Sequence, residues 1–185
     1  IIIDGLDLDK DYEEIKSKIG VVFQNSLLDG ALTARDNLTC RAGFYGYHGK
    51  AWKERLDELT ELLDLKDLLG KSLDHMSGGQ RRRIDIARSL INLPRILILD
   101  EPTTGLDPHT RKKLWELIED LRKKKKMTIF LTTHYMEEAN KADRVVVLDQ
   151  GHIVGNDTPH NLKNKYTSDC IKAYMPRNEK FEGEI

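Results

Sequence analysis

The chain has 185 residues, of which 39% are hydrophobic and 33% are charged. This balance is typical of a soluble globular domain with a core of its own, and it excludes a disordered chain. The formal net charge of -1 gives no global electrostatic reason to expect nucleic acid as a partner.

The first elements are short strands. Residues 1–8, IIIDGLDL, predict the end of a strand and a tight turn at Asp4 and Gly5. A natural N-terminus rarely opens within an apolar run, so we expect further residues upstream of Ile1. Residues 19–24, IGVVFQ, predict a short buried strand that ends at Gln24.

A helical pattern then runs from Thr33 to Gly70. Its apolar stripe consists of Trp52, Leu56, Leu59 and Leu63. Ser77 is a suitable N-cap for the next helix. The stripe of that helix consists of Ile84, Ala87, Leu90 and Ile91. Together these patterns predict an all-helical insertion from Thr33 to about Leu93.

Strands and helices alternate in the rest of the chain. Residues 96–99 and 127–134 predict two buried strands, and Pro108 opens a helix between them. The apolar stripe of that helix consists of Leu114, Leu117, Ile118 and Leu121. Residues 145–154 predict a third strand that turns at Gln150 and Gly151 into a hairpin. The alternation predicts an α/β fold with a parallel sheet.

The cysteines and the lengths of the apolar runs indicate the cellular environment of the chain. Cys40 and Cys170 lie far apart, without a Cys-x-x-Cys pattern. We therefore interpret both as free thiols of a reducing compartment. No apolar run approaches the roughly 20 residues that span a bilayer.

The acidic pair Asp100 and Glu101 is the first candidate for chemistry, because ligand sites of open α/β sheets lie at the carboxyl ends of strands. In nucleotide-hydrolysing folds the first acid of such a pair holds Mg²⁺, and the second can orient or deprotonate water. The pair could equally be an acidic strand end that caps the following turn.

Three further residues are weak signals when taken alone. His134 and Gln24 each end a predicted strand, and Asp107 follows a glycine turn. His134 could hydrogen-bond a phosphate oxygen, and Gln24 could contact Mg²⁺ or a water without adding charge. The structural alternatives are a packing histidine and an N-cap aspartate.

The segment SGGQ, residues 77–80, offers backbone N–H groups and a helix N-terminus that suit an anion. The chain contains no Gly-x-x-x-x-Gly-Lys-Ser/Thr loop, which usually cradles phosphates. We interpret the charge runs 81–83 and 122–126 as solvated helix positions rather than nucleic-acid contacts.

With these motifs in this order, the chain resembles the ATP-binding domain of ABC transporters. SGGQ and LILDEPTTGLD are the most specific segments, and the resemblance covers nearly the whole chain. Met76 stands where the family usually has leucine, a volume-conserving difference. LTARDNL, LTTHYMEEANKADRVVVLDQG and DTPHNLK are most similar to the drug-exporting, daunorubicin-resistance branch.

The resemblance implies roles for residues of this chain. Gln24 matches the Q-loop, where it would contact Mg²⁺, and Asp100 matches the Mg²⁺-binding Walker B acid. Glu101 matches the catalytic glutamate, and His134 matches the H-loop histidine. The nucleotide-binding positions are Ser77, Gly78, Gly79 and Gln80 of the signature motif and Asp107 of the D-loop.

The resemblance also implies the fold and domain organisation. We expect a P-loop NTPase-like parallel sheet core with an all-helical signature subdomain, and with its N-terminal part missing. The expected divisions are residues 1–32 and 94–165 for a partial RecA-like core, 33–93 for the signature subdomain, and 166–185 for a C-terminal tail.

The function implied is ATP hydrolysis that powers an exporter, with ATP and Mg²⁺ as cofactors. The expected partners are a second ATP-binding domain in a head-to-tail dimer and a transmembrane permease subunit, with no nucleic acid. Leu27, Leu28, Phe44, Tyr45 and Tyr47 are core-packing residues by default and candidates for a groove that receives the permease. The location implied is cytoplasmic, on the inner face of the cell membrane.

The family's Walker A loop lies upstream of the residues that match Ile1. We therefore expect this chain to be an N-terminally truncated copy that hydrolyses no ATP by itself. Two alternatives stay open: a soluble ABC-type ATPase unconnected with transport, and a non-catalytic fragment that associates without turnover.

Overall fold

The computed structural model describes residues 1–166. The described residues divide into two compact units, residues 1–134 and the residues from 135 onward. Each unit has its own strands and helices. The expected C-terminal tail, apart from Tyr166, and Cys170 lie outside the described residues.

A short hairpin opens the first unit, where β1 (Ile2–Ile3) pairs antiparallel with β2 (Leu6–Asp7). Asp4 and Gly5 form its turn with φ of 51° and 80°, the left-handed values that tight hairpin turns require. The turn prediction is therefore confirmed. Helix α1 (Tyr12–Lys18) follows and buries only Ile15, too little apolar periodicity to predict a helix from sequence.

A three-stranded parallel sheet lies at the centre of the first unit. Its strands, in spatial order, are β3 (Ile19–Val22), β4 (Ile96–Asp100) and β5 (Thr128–Thr132). Leu97 and Leu99 of β4 are fully buried. The expectation that β5 is a buried strand is wrong for one of its faces, since Phe130 is 59% exposed. β5 is an edge strand of this sheet, where fewer elements cover a side chain.

Helices dominate between β3 and β4. They are α2 (Ala34–Phe44), α3 (Gly49–Leu63), a 3-10 turn (Leu73–His75) and α4 (Gly78–Leu90). Every residue of the two predicted stripes, on α3 and along α4 to Ile91, is buried. These stripes share one apolar core with Leu97 and Leu99 of β4, which fixes the helical segment against the sheet.

Helix α5 (Pro108–Lys125) connects β4 with β5. It begins at Pro108, as predicted, and Asp107 is its N-cap. Its buried residues are Leu114, Trp115, Ile118 and Leu121, and the predicted Leu117 is half-buried. Pro108 is well suited to the first helical position because it has no N–H to leave unpaired there.

The second unit contains α6 (Met136–Ala139), β6 (Val145–Asp149), β7 (His152–Asp157) and α7 (Pro159–Tyr166). β6 and β7 form the predicted antiparallel hairpin, with φ of 45° at Gln150 and 81° at Gly151. Among residues 1–166, no helix has both the length and the apolar character that crossing a membrane requires.

Candidate active site

The carboxyl ends of the three parallel strands bring together side chains that are far apart in sequence. Gln24 lies two residues beyond β3, Asp100 ends β4, and His134 lies two residues beyond β5. Glu101 follows Asp100 directly. Because the strands are parallel and in register, these residues meet at one edge of the sheet.

The Glu101 carboxylate is the centre of this group. Its Oε2 accepts hydrogen bonds from Gln24 Nε2 at 3.2 Å and from Thr104 Oγ1 at 2.9 Å. His134 Nδ1 lies 3.4 Å from the other oxygen, Oε1. The side chains of His134 and Glu101 are 53% and 30% exposed, so a ligand can reach both. The structure thus brings together the three side chains that the sequence suggested for catalysis.

Thr132 connects the two acidic residues. Its Oγ1 donates to Asp100 Oδ1 at 2.7 Å and accepts from the Glu101 N–H at 3.0 Å. Sequence reasoning missed Thr132, which stands two positions before His134. The usable signal was the strand register, because Thr132 lies directly opposite Asp100 in the parallel pair.

The backbone of Glu101 is in the left-handed region, with φ of 41°. This conformation costs a residue with a Cβ about 1–2 kcal/mol. The Thr132 hydroxyl holds the Glu101 N–H, and the Glu101 carbonyl accepts from the Thr104 N–H at 3.2 Å. The surrounding contacts therefore hold the strained conformation and with it the direction of the carboxylate.

The Asp100 carboxylate and the Gln24 amide are the groups here that can hold a hard cation. Asp100 uses Oδ1 for Thr132, and Gln24 uses Nε2 for Glu101. Asp100 Oδ2 and Gln24 Oε1 can therefore still serve a metal. Residues 1–166 contain no cluster of three or more His, Cys, Asp and Glu side chains fit for a metal. Two oxygens suit an ion that keeps waters and binds phosphate oxygens, as Mg²⁺ does.

The SGGQ segment begins α4 with a capping box. Ser77 Oγ accepts from the Gln80 N–H at 3.3 Å, and Gln80 Oε1 accepts from the Ser77 N–H at 3.0 Å. Ser77 is therefore the N-cap that the sequence predicts.

The two glycines of this segment have a packing role as well. A Cβ added at Gly78 would lie 3.3 Å from Leu106, and one added at Gly79 only 2.2 Å from the Thr110 methyl carbon. The close contact between α4 and the start of α5 thus favours glycine at position 79, because any side chain there would displace the Thr110 methyl group. This packing preference is independent of any phosphate.

Asp107 caps α5 by accepting from the N–H groups of His109 and Thr110, both at 3.1 Å. These hydrogen bonds, with a side-chain bond from Thr110 the strongest, hold the pKa of the Asp107 carboxyl below its usual value. The structural alternative for Asp107, an N-cap aspartate, is therefore confirmed, and a ligand-binding role at this position stays a prediction.

The solvated interpretation of the run 81–83 is wrong for its middle residue. Arg82 is only 8% exposed, and its guanidinium donates to the backbone carbonyls of Phe23 and Gln24. Arg82 is buried because the loop after β3 packs on this face of α4. The run 122–126 does lie at the solvated end of α5, where Lys123, Lys124 and Lys125 are exposed.

The aromatic and leucine side chains that flank the helical segment differ in exposure. Leu27 is 61% exposed, Phe44 is 78% exposed and Tyr45 is 37% exposed. Leu28 and Tyr47 pack against the core instead. Leu27, Phe44 and Tyr45 are therefore the members of this group that a partner can contact.

Comparison with known proteins gives consistent matches. A protein-family model described as "ABC transporter" matches residues 1–104. The daunorubicin resistance ATP-binding protein DrrA2 of Streptomyces coeruleorubidus is 41% identical over 172 residues, which cover 92% of this chain and 53% of that protein. The Nod factor export ATP-binding protein I of Sinorhizobium fredii is 41% identical over 161 residues, covering 86% and 47%. The chain thus spans about half the length of the curated relatives it matches.

Two solved structures share the fold. CbiO1 of Clostridium perfringens, part of the ABC transporter complex cbiONQ, superposes with a TM-score of 0.80 at 26% identity, covering 89% of this chain and 67% of that one. A dimeric ATP-binding cassette in a post-hydrolysis state, bound to ADP and Pi, gives a TM-score of 0.71 at 30% identity, covering 85% and 72%. These structures agree with a P-loop NTPase-like α/β fold for the chain.

Proposed function

Because this chain belongs to the ABC transporter family, we propose that it forms part of an ATP-binding and ATP-hydrolysing subunit that powers an exporter. The observation that carries the proposal is the Glu101 carboxylate, which Gln24, Thr104 and His134 contact at the sheet edge. The relatives named for daunorubicin resistance and Nod factor export favour an exporter over an ATPase unconnected with transport.

In the proposed reaction, water attacks the γ-phosphorus of ATP and gives its proton to the Glu101 carboxylate. The bond from that phosphorus to the bridging oxygen breaks, and ADP and phosphate form. Gln24 and Thr104 hold the carboxylate through the same oxygen, Oε2. His134, beside Oε1, donates a hydrogen bond to a γ-phosphate oxygen as charge develops there.

The proposed metal is Mg²⁺, held by Asp100 Oδ2 and Gln24 Oε1. Mg²⁺ held there would neutralise the charge that develops on the phosphate oxygens during the reaction. The Thr132 hydroxyl orients Asp100 by occupying its other oxygen. A neutral Gln24 fits this arrangement because it adds a ligand oxygen without adding charge.

The signature segment is proposed to serve a nucleotide held by a second copy. Ser77, Gly78, Gly79 and Gln80 lie at the N-terminus of a 13-residue helix, where N–H groups and the helix dipole favour an anion. Asp107 is proposed to approach the same interface. The dimeric cassette with ADP and Pi supports this association.

The domain division expected from sequence remains part of the proposal. Residues 1–32 and 94–165 would form a partial RecA-like core, residues 33–93 the signature subdomain, and residues 166–185 a C-terminal tail. The exposed Leu27, Phe44 and Tyr45 are proposed to meet a transmembrane permease. That partner would hold the protein at the cytoplasmic face of the cell membrane.

Steady-state phosphate release from Mg²⁺-ATP by the intact protein tests the function. Glu101→Gln keeps the size of the side chain and removes its basicity, so we expect kcat to fall about 10²-fold or more, with ATP binding retained. Glu116→Gln on the exposed face of α5 is the matched control. Equal turnover by Glu101→Gln and the control would contradict the proposal.

A further inference from the structure

The segment after β3, residues 23–28, is termed the Gln24 loop. It has no helix or strand, so its backbone polar groups need partners outside the regular elements. Helix α4 supplies two side chains for this purpose, Arg82 and Asp85. They stand three positions apart and therefore face the loop from the same side of the helix.

Arg82 binds two successive carbonyls of the loop. Its Nη1 donates to the Phe23 carbonyl at 2.6 Å, and its Nη2 donates to the Gln24 carbonyl at 2.9 Å. A planar guanidinium can serve two neighbouring acceptors at once, whereas a lysine ammonium is a single point charge on a flexible stem. The Arg82 side chain is buried and the two contacts are partly buried, which strengthens each of these charge-assisted hydrogen bonds.

Asp85 holds the loop at a second point. Ser26 Oγ donates to Asp85 Oδ1 at 2.8 Å, and the same hydroxyl accepts from the Leu28 N–H at 3.3 Å. Asp85 is only 3% exposed, so the acceptor side of this partly buried contact is shielded from water. The loop is therefore fixed to α4 both before and after Asn25.

Gln24 thus has contacts in two directions. Its carbonyl is held by Arg82 of α4, and its side-chain amide donates to Glu101 at the sheet edge. Ser77 caps the same helix that carries Arg82. One rigid helix consequently joins the SGGQ segment to the backbone of the loop that contacts the Glu101 carboxylate.

We propose that Arg82 and Asp85 are positioning residues that attach the Gln24 loop to α4, so that the Gln24 amide and the SGGQ segment move as one body. Arg82 acts on turnover through Gln24 and has no contact with the reacting atoms. This inference rests on the proposed ATPase function for its kinetic consequence. Its structural consequence, a loop ordered by α4, does not depend on that function.

Amide hydrogen exchange tests the structural part in the intact protein without nucleotide. Arg82→Met keeps the apolar stem and removes both donors, so we expect faster exchange across residues 23–28. Arg83→Met is the matched control, because Arg83 is on the same helix and binds the carbonyl and carboxylate of Asp64 instead. Ser26→Ala is a milder variant that removes the second attachment, and it should raise exchange at residues 26–28.

A double-mutant cycle in ATP hydrolysis tests the kinetic part. Small displacements of positioned groups can lower rates by as much as about 10²-fold. We expect Arg82→Met to lower kcat at least fivefold with little change in KM. Adding Gln24→Ala to Arg82→Met should then lower kcat by a smaller factor than Gln24→Ala does in the wild type, because Arg82→Met has already removed the positioning of that side chain. Adding Gln24→Ala to Arg83→Met should lower kcat by the same factor as Gln24→Ala does in the wild type.

The possible failures are distinguishable. If the full-length wild-type protein hydrolyses no ATP, the proposed function is overturned, and the exchange result alone decides the attachment of the loop. If the wild type is active but the Arg82→Met and Arg83→Met variants show the same amide exchange at residues 23–28, the positioning role is overturned. Multiplicative effects of Arg82→Met and Gln24→Ala on kcat would overturn it as well. Should Arg82→Met fail to fold, Ser26→Ala decides the same question through the exchange at residues 26–28.

Discussion

Replacement of Gly79 by alanine introduces a single, well-defined steric conflict. The added Cβ would lie 2.2 Å from the Thr110 methyl carbon Cγ2, but 3.6 Å from Thr110 Cβ and 3.8 Å from Oγ1. Favourable carbon contacts lie at about 3.5–4.0 Å. Only the methyl group is therefore in conflict, and Thr110→Ser removes that methyl while keeping the hydroxyl that contacts Asp107.

The magnitude follows from two opposing terms. Overpacking of this kind costs about 1–3 kcal/mol, whereas alanine in place of glycine in a helix returns up to about 1 kcal/mol. We expect Gly79→Ala alone to lower the free energy of unfolding by about 1 kcal/mol. In the Thr110→Ser background the steric term vanishes, so the same change should be neutral or stabilising.

Urea unfolding provides the assay. Trp52 on α3 and Trp115 on α5 are both buried, so tryptophan fluorescence reports the unfolding of the first unit. With a slope of about 2 kcal/mol per molar urea, a 1 kcal/mol loss moves the midpoint by about 0.5 M. If Gly79→Ala shifts the midpoint equally in both backgrounds, Thr110 does not explain the glycine and the packing argument is refuted.

Three further predictions concern the site. Thr132→Val removes a hydrogen bond to an ionised group, and such a bond contributes about 1.5–3 kcal/mol. We therefore expect kcat to fall about 10-fold and the Mg²⁺ concentration required for activity to rise. A Mg²⁺ titration checks this, with Thr132→Ser as the near-normal control. Ser77→Arg should abolish hydrolysis while each subunit still binds ATP. Nucleotide titration measured beside turnover checks this, and a parallel loss of ATP binding would contradict it. Burial raises the pKa of the Asp85 carboxyl, so the native state retains that proton to higher pH than the unfolded state, and stability falls as pH rises from about 3.8 through the raised pKa. Asp85→Asn should therefore gain stability relative to wild type between pH 4 and pH 7 in paired unfolding curves, and a constant difference would contradict this.

Features determined by neighbouring residues could be predicted from sequence. The turn at Asp4 and Gly5, the cap at Ser77 and the helix start at Pro108 depend on local backbone preferences, and all three are present. The convergence of Gln24, Glu101 and His134 could also be anticipated, because parallel strands place their carboxyl ends at one edge.

Features determined by packing between distant segments could not be predicted in this way. The burial of Arg82 depends on a loop 58 positions away in sequence, and the contact of Thr132 with Asp100 spans 32 positions. The exposure of Phe130 depends on which elements cover β5, and no property of the residue itself reveals that. An arginine run has the same pattern whether its middle residue is solvated or holds a backbone loop.

The left-handed backbone at Glu101 has a consequence for the mutational routes open to this protein. A glutamate codon becomes a glycine, aspartate or valine codon through one base change. Glycine and aspartate tolerate this backbone region, whereas a β-branched valine does not. Genetic drift can therefore remove the chemistry at this position and keep the fold. In the proposed head-to-tail dimer, such inactive copies would keep the interface of active ones and would take their place.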